Sequence, residues 1–136
     1  MAKKSWTEKF NTKKEAEVKR IDKAFADMPE GCLMLIATPQ IVADYVAQIP
    51  KGKTSSIPQM RKDLAGDYNA DYTCPVTSGI FLRIATEKAY EELEGGKKVE
   101  DITPFWRIIS PKDKIAQKLS FGKEFIIAQR KKEGIS

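Results

Sequence analysis

In the stretch TPQIVADYVAQIPKGKTSSIPQMRKDLAG, residues 38–66, two helix starts are written in the same way. Thr38 and Ser56 each offer a hydroxyl to cap a helix N-terminus. Pro39 and Pro58 follow in the first turn, where a missing N–H costs nothing. Ile41, Val42, Tyr45, Val46 and Ile49 form one apolar face, and Pro50 stops the first helix. Lys51-Gly52-Lys53 is a basic turn. The second helix runs from Ile57 to Ala65 and is closed by Gly66.

On the N-terminal side, Cys32 to Ala37 is a short apolar run, either extended or a buried approach to the first helix. Residues 8–28 place Phe10, Ile21, Ala24, Phe25 and Met28 at roughly helical spacing among many charges, which predicts an amphipathic helix ended by Pro29-Glu30-Gly31. On the C-terminal side, Thr73 or Cys74 caps a helix with Pro75 in its first turn, and that helix continues to Gly95-Gly96. Thr77, Ser78 and Gly79 keep its first turns slim. Ile102 to Ile109 is β-branched and aromatic and reads as a strand interrupted by Pro104. The turn Ser110-Pro111-Lys112-Asp113-Lys114 then makes a hairpin-like excursion. Gly122 to Glu133 is a last helix, stopped by Gly134. The order predicts a mainly α, α+β fold with a small β hairpin: a winged helix-turn-helix over residues 38–136, with residues 1–37 as a helical extension packed on it.

The 136 residues, 41% of them apolar, are enough for one core. No apolar stretch is long enough to span a bilayer, and the basic N-terminus is not followed by the apolar segment of a signal peptide. Cys32 and Cys74 are therefore expected as reduced thiols in the cytoplasm. The chain has no histidine, which removes the commonest general base and metal ligand, so triad and metal chemistry are not expected. Net charge is +5 and unevenly spread. Residues 1–23 hold eight Lys/Arg against four Asp/Glu, residues 24–111 nine against twelve, and residues 112–136 seven against three. Basic ends suit a polyanion partner or are simply solvated.

Three segments, in order, resemble the C-terminal domain of the alkylguanine-DNA alkyltransferases. Ile49-Pro50-Lys51-Gly52-Lys53-Thr54-Ser55-Ser56 is similar to that family's I-P-x-G-x-V-x-T-Y approach to the helix-turn-helix. Ile102-Thr103-Pro104-Phe105-Trp106-Arg107-Ile108-Ile109 lies over the active-site I-P-C-H-R-V-V. Ser120-Phe121-Gly122 through Glu133-Gly134 is similar in spacing to the lid and closing E-G. The likeness covers roughly residues 40–135. It implies binding in the DNA minor groove through the second helix of the helix-turn-helix, flipping of an alkylated guanine, and transfer of its alkyl group to the cysteine.

Carried over, the chemistry is lost. Phe105 stands at the acceptor cysteine and Trp106 at the histidine, whereas Arg107, Glu133 and Ser120 match the arginine, the supporting glutamate and a lid serine. Ile57 stands at a tyrosine that contacts DNA, Val76 stands near the arginine that fills the gap left by the flipped base, and the loop 95–101 is longer than the family's. The alkyltransferase-like proteins, whose pocket keeps its shape without the cysteine, are the nearer parallel. The resemblance thus implies a non-catalytic protein that binds duplex DNA, including damaged bases, and flags it to a repair protein. No cofactor, no metal and no membrane contact are expected. The expected pocket is Pro104, Phe105, Trp106, Arg107, Ser120 and Glu133. The expected DNA contacts are Lys51, Lys53, Thr54, Ser55, Thr77, Ser78, Gly79, Arg83 and Lys112.

Each residue also has a plainer reading. Trp106 either stacks on a base or packs in the core with its indole N–H on Glu133. Phe105 floors a pocket or fills the core, and Arg107 holds phosphate or pairs with a carboxylate. Cys74, at a helix N-terminus, is a candidate reactive thiol or a small buried cap. Two other functions follow from these residues: a protein- or small-ligand-binding module on the same fold, and an enzyme using Cys74 as nucleophile.

Overall fold

The computed structural model describes residues 5–11, 15–26 and 28–135. Among them the order is α1 (Trp6–Phe10), β1 (Glu17–Arg20), β2 (Leu33–Ile36), α2 (Pro39–Ala47), α3 (Ile57–Asp67), β3 (Tyr72–Thr73), α4 (Pro75–Glu94), α5 (Lys114–Lys118) and α6 (Glu124–Lys132). Two 3-10 turns, Val99–Asp101 and Phe105–Arg107, lie between α4 and α5. The fold is mixed, mostly helical with one small three-stranded sheet against which α3 packs.

The two hydroxyl caps form as the sequence predicts. Thr38 accepts the Ile41 N–H and Ser56 the Gln59 N–H, each ahead of a proline in the first turn. Gly66 lies inside the last turn of α3, and Tyr68 is the capping residue. Pro75 opens α4 and Gly95 closes it, with Cys74 at the cap making no side-chain hydrogen bond. Gly134, at φ 75°, terminates α6.

Two local expectations are overturned. Of the helix expected over 8–28, the described residues are helical only at 8–10, the end of α1, while Glu17–Arg20 is a strand antiparallel to β2, with Glu17 opposite Ile36 and Arg20 opposite Leu33. Residues 12–14 and 27 of that expectation lie outside the described residues. The apolar β2 backbone needs partners on both edges, and this tertiary demand outweighs the helical spacing of residues 17–20. On its other edge β2 pairs in parallel with β3, Met34 opposite Tyr72, so the sheet joins residues on both sides of position 38.

The strand and hairpin expected over 102–114 do not form either. A strand sends alternate side chains to opposite faces, but Ile102, Phe105, Trp106, Ile108 and Ile109 are all buried. The chain coils instead, through Phe105 N–H to the Thr103 carbonyl and Ile109 N–H to the Phe105 carbonyl. Ser110 N–H bonds the Asp113 carboxylate, and Asp113 then leads into α5, so Lys112 sits on a turn before a helix and not on a wing. The largest of three core clusters gathers Val42 and Val46 of α2, Leu82 of α4 and Ile126 of α6 with this coiled segment, and smaller ones form around Met28, Cys32, Met34 and Cys74 and around Phe10, Ala43 and Ala85. α1 packs on α4, where Glu91 accepts the N–H groups of Trp6 (3.2 Å) and Thr7 (2.9 Å).

Candidate functional site

Trp106, Arg107 and Glu133 meet in one knot. Glu133, the residue that caps α6, accepts the Trp106 Nε1–H at 2.7 Å, Arg107 Nε–H and Nη2–H at 3.0 Å each, and the Gly52 N–H at 3.0 Å. Arg107 Nη1–H reaches the Ile49 carbonyl at 2.8 Å, and the Arg107 carbonyl accepts Ser55 N–H at 2.9 Å. Gly52 holds φ 81°, a left-handed backbone that glycine adopts without strain, in the turn that delivers its N–H to the carboxylate. Burial pushes the Glu133 carboxyl up. The bonds from Arg107, Gly52 and Trp106 pull it down harder, leaving it at about 2. The Trp106 side chain belongs to the core, with its indole on Glu133, and Arg107 pairs with a carboxylate.

Pro104 lines the cleft beside this knot, whereas Phe105 and Ser120 lie elsewhere. Phe105 is fully buried and its ring meets Trp106 (centroids 5.3 Å apart), Phe121 (5.6 Å) and Phe125 (5.6 Å). Phe121 in turn stacks on Tyr90 at 4.0 Å. Aromatic side chains thus fill the space around Phe105. Ser120 does not reach Glu133. It donates its N–H (2.9 Å) and its hydroxyl to Glu87, a buried α4 carboxylate that also lies 3.6 Å from Arg83 Nε. Nothing in the sequence marks Glu87 as buried, because it reads as one of several charges on a long helix. Cys74 is a free, buried thiol packed with Met28, Cys32 and Met34, which is a structural environment for a cysteine.

The residues expected on DNA divide as well. Ser78 is buried and its hydroxyl donates to the Cys74 carbonyl; Ser55 Oγ is bonded to the Tyr45 hydroxyl at 2.9 Å, which also donates to Asp63 at 2.6 Å. Both serines serve the fold. Burial, then the Asp63 bond, raises the Tyr45 pKa, and the Tyr45 and Gln59 bonds hold the Asp63 carboxyl below its ordinary value. Lys51, Lys53, Thr54 and Lys112 are exposed. Lys51 faces a cleft beside Glu133, whereas Lys53 and Thr54 lie by Ser55. Gly79 and Arg83 line a groove of about 540 Å³ between the start of α3, the first half of α4 and α5. Val76 and Ile80, half-exposed at 53% and 51%, form its apolar strip, and Lys114 and Lys118 flank it. Thr77, half-buried, keeps a hydroxyl without a partner among the described residues. Lys114 and Lys118 were not among the expected contacts. Only the i,i+4 spacing of an unrecognised helix, α5, puts them on one face.

No family model matches this chain, and neither a curated protein nor a solved structure does. Among the described residues no group of three or more acidic, cysteine or histidine side chains is placed to hold a metal ion. No helix among them is long and apolar enough to cross a membrane.

Proposed function

We propose that this chain is a non-catalytic DNA-binding protein of the alkyltransferase-like kind, docking duplex DNA on the groove formed by α3, α4 and α5. One observation carries the reading: Val76, Gly79 and Ile80 make a slim exposed face on a long helix, and Arg83, Lys114 and Lys118 line the same groove against a single carboxylate, Asp113. A helix with small and medium side chains fits into a groove of the duplex, while flanking cations neutralise phosphates and release counterions. The succession of α2, α3 and α4 with the exposed face on α4 suits a helix-turn-helix. Val76 and Ile80 offer no hydrogen-bonding group to base edges, so the binding reads the duplex without sequence. Phe105, fully buried among rings, offers no open face to an extruded base, so unmodified and alkylguanine-containing duplexes are expected to bind alike.

Fluorescence anisotropy with a labelled duplex tests this. Binding at low salt is expected with a Kd on the order of 1–100 μM, falling steeply as salt rises. The double variant Lys114→Glu, Lys118→Glu should bind at least about tenfold more weakly. The absence of binding to any duplex at low salt overturns the proposal. A strong preference for the alkylated duplex would replace it with lesion recognition through an opened aromatic cluster.

A further inference from the structure

We infer a second site, independent of the DNA reading: the cleft of about 660 Å³ beside the Glu133 knot binds a small zwitterion that carries an amide group, of dipeptide size. The first observation is Gln129. Its side chain lines the cleft, the residue is only 7% exposed, and its amide has no hydrogen-bond partner among the described residues. The amide is left out of the protein's own hydrogen bonding and opens to the cleft, so it presents one donor face and one acceptor face to an occupant. Thr103, in the same wall, adds a hydroxyl that is likewise unpartnered among the described residues. An amide in the occupant answers both.

Charge supplies the second observation. Arg107 and Glu133 line the cleft but neutralise each other. The remaining charges fall on different elements: Lys51 in the turn after α2 and Lys132 on α6, against Glu100 and Asp101 on the 3-10 turn. None of these four is ion-paired with another of them. Two cations and two anions, carried on separate elements of one cleft, suit a ligand with carboxylate and ammonium ends. Between them Ile102 and Pro104 form an apolar floor. Trp106 lends only an edge, being 2% exposed, so the cleft has no open aromatic face on which a nucleobase would stack.

The test is an NMR titration of the full chain with a panel of free dipeptides bearing apolar, aromatic and amide side chains, each beside its N-acetylated, C-amidated form. At least one free dipeptide should shift the Gln129 side-chain NH₂ and the Trp106 indole N–H with a Kd of about 1 mM or tighter. Its blocked form should bind at least about tenfold more weakly, and so should Lys132→Glu, an exposed change that leaves the core untouched, and Gln129→Leu. No shift at Gln129 with any panel member overturns the inference. Equal binding of the blocked form, or wild-type binding by Lys132→Glu, does so too. None of these readouts involves DNA, so this inference and the DNA reading fail separately.

Discussion

Glu133 gathers an indole, a guanidinium and a backbone N–H from three parts of the chain onto a side chain that is 6% exposed. Removing one member of a buried, bonded ion pair leaves the other charge uncompensated. Glu133→Gln keeps the size but turns donors toward Arg107, so it should cost about 3 kcal/mol, read as a fall in Tm of roughly 10 °C. A loss under about 1 kcal/mol would show that the knot is incidental. The sequence suggested Glu133 as the partner of Trp106 because two segments of one resemblance brought both into view. The Gly52 N–H was not legible there, since nothing in a basic turn says that its backbone will point at a residue 81 positions away.

α2 and α3 show how far element-level signals reach. Their hydroxyl caps and first-turn prolines act within a few residues, so tertiary structure had little to alter. Ser56→Ala should lower stability by about 1 kcal/mol, seen as a shift in the urea midpoint with an unchanged slope. A shift of zero would mean that solvent already satisfies the Gln59 N–H. The elements missed were β1, β3, the coiled segment 102–109 and α5. Each is short, and its conformation depends on what it packs against: β2 for β1, and the surrounding core for 102–109. Periodicity cannot distinguish a strand from a coil whose every apolar residue faces inward.

For the whole molecule the knot sets an acid limit. The Glu133 carboxyl falls from an ordinary 4.5 to about 2 on folding. A depressed carboxyl stabilises the fold above its unfolded value and loses that contribution as pH falls through the folded one. At 1.36 kcal/mol per pH unit the contribution is about 3 kcal/mol, present above pH 4.5 and disappearing toward pH 2. Asp63, held low by Tyr45 and Gln59, acts in the same direction. Unfolding free energies measured between pH 2 and 5 should therefore rise with pH in the native chain and rise less in Glu133→Gln. Parallel curves for the two would assign the acid sensitivity elsewhere.

By itself the sequence determined the helices with local boundary signals, the hydroxyl caps and prolines of α2 and α3, Pro75 and Gly95 of α4 and Gly134 of α6, and it singled out Trp106, Arg107 and Glu133. Those features rest on hydroxyls, prolines and glycines acting over a turn or two, or on residues that one resemblance already names. Only the tertiary structure decided that Phe105 lies among rings, that Ser120 answers to Glu87, and that Lys114 and Lys118 share a groove with α4. Burial and long-range pairing create these arrangements. Which of many equally apolar or charged side chains turns inward depends on partners tens of residues away.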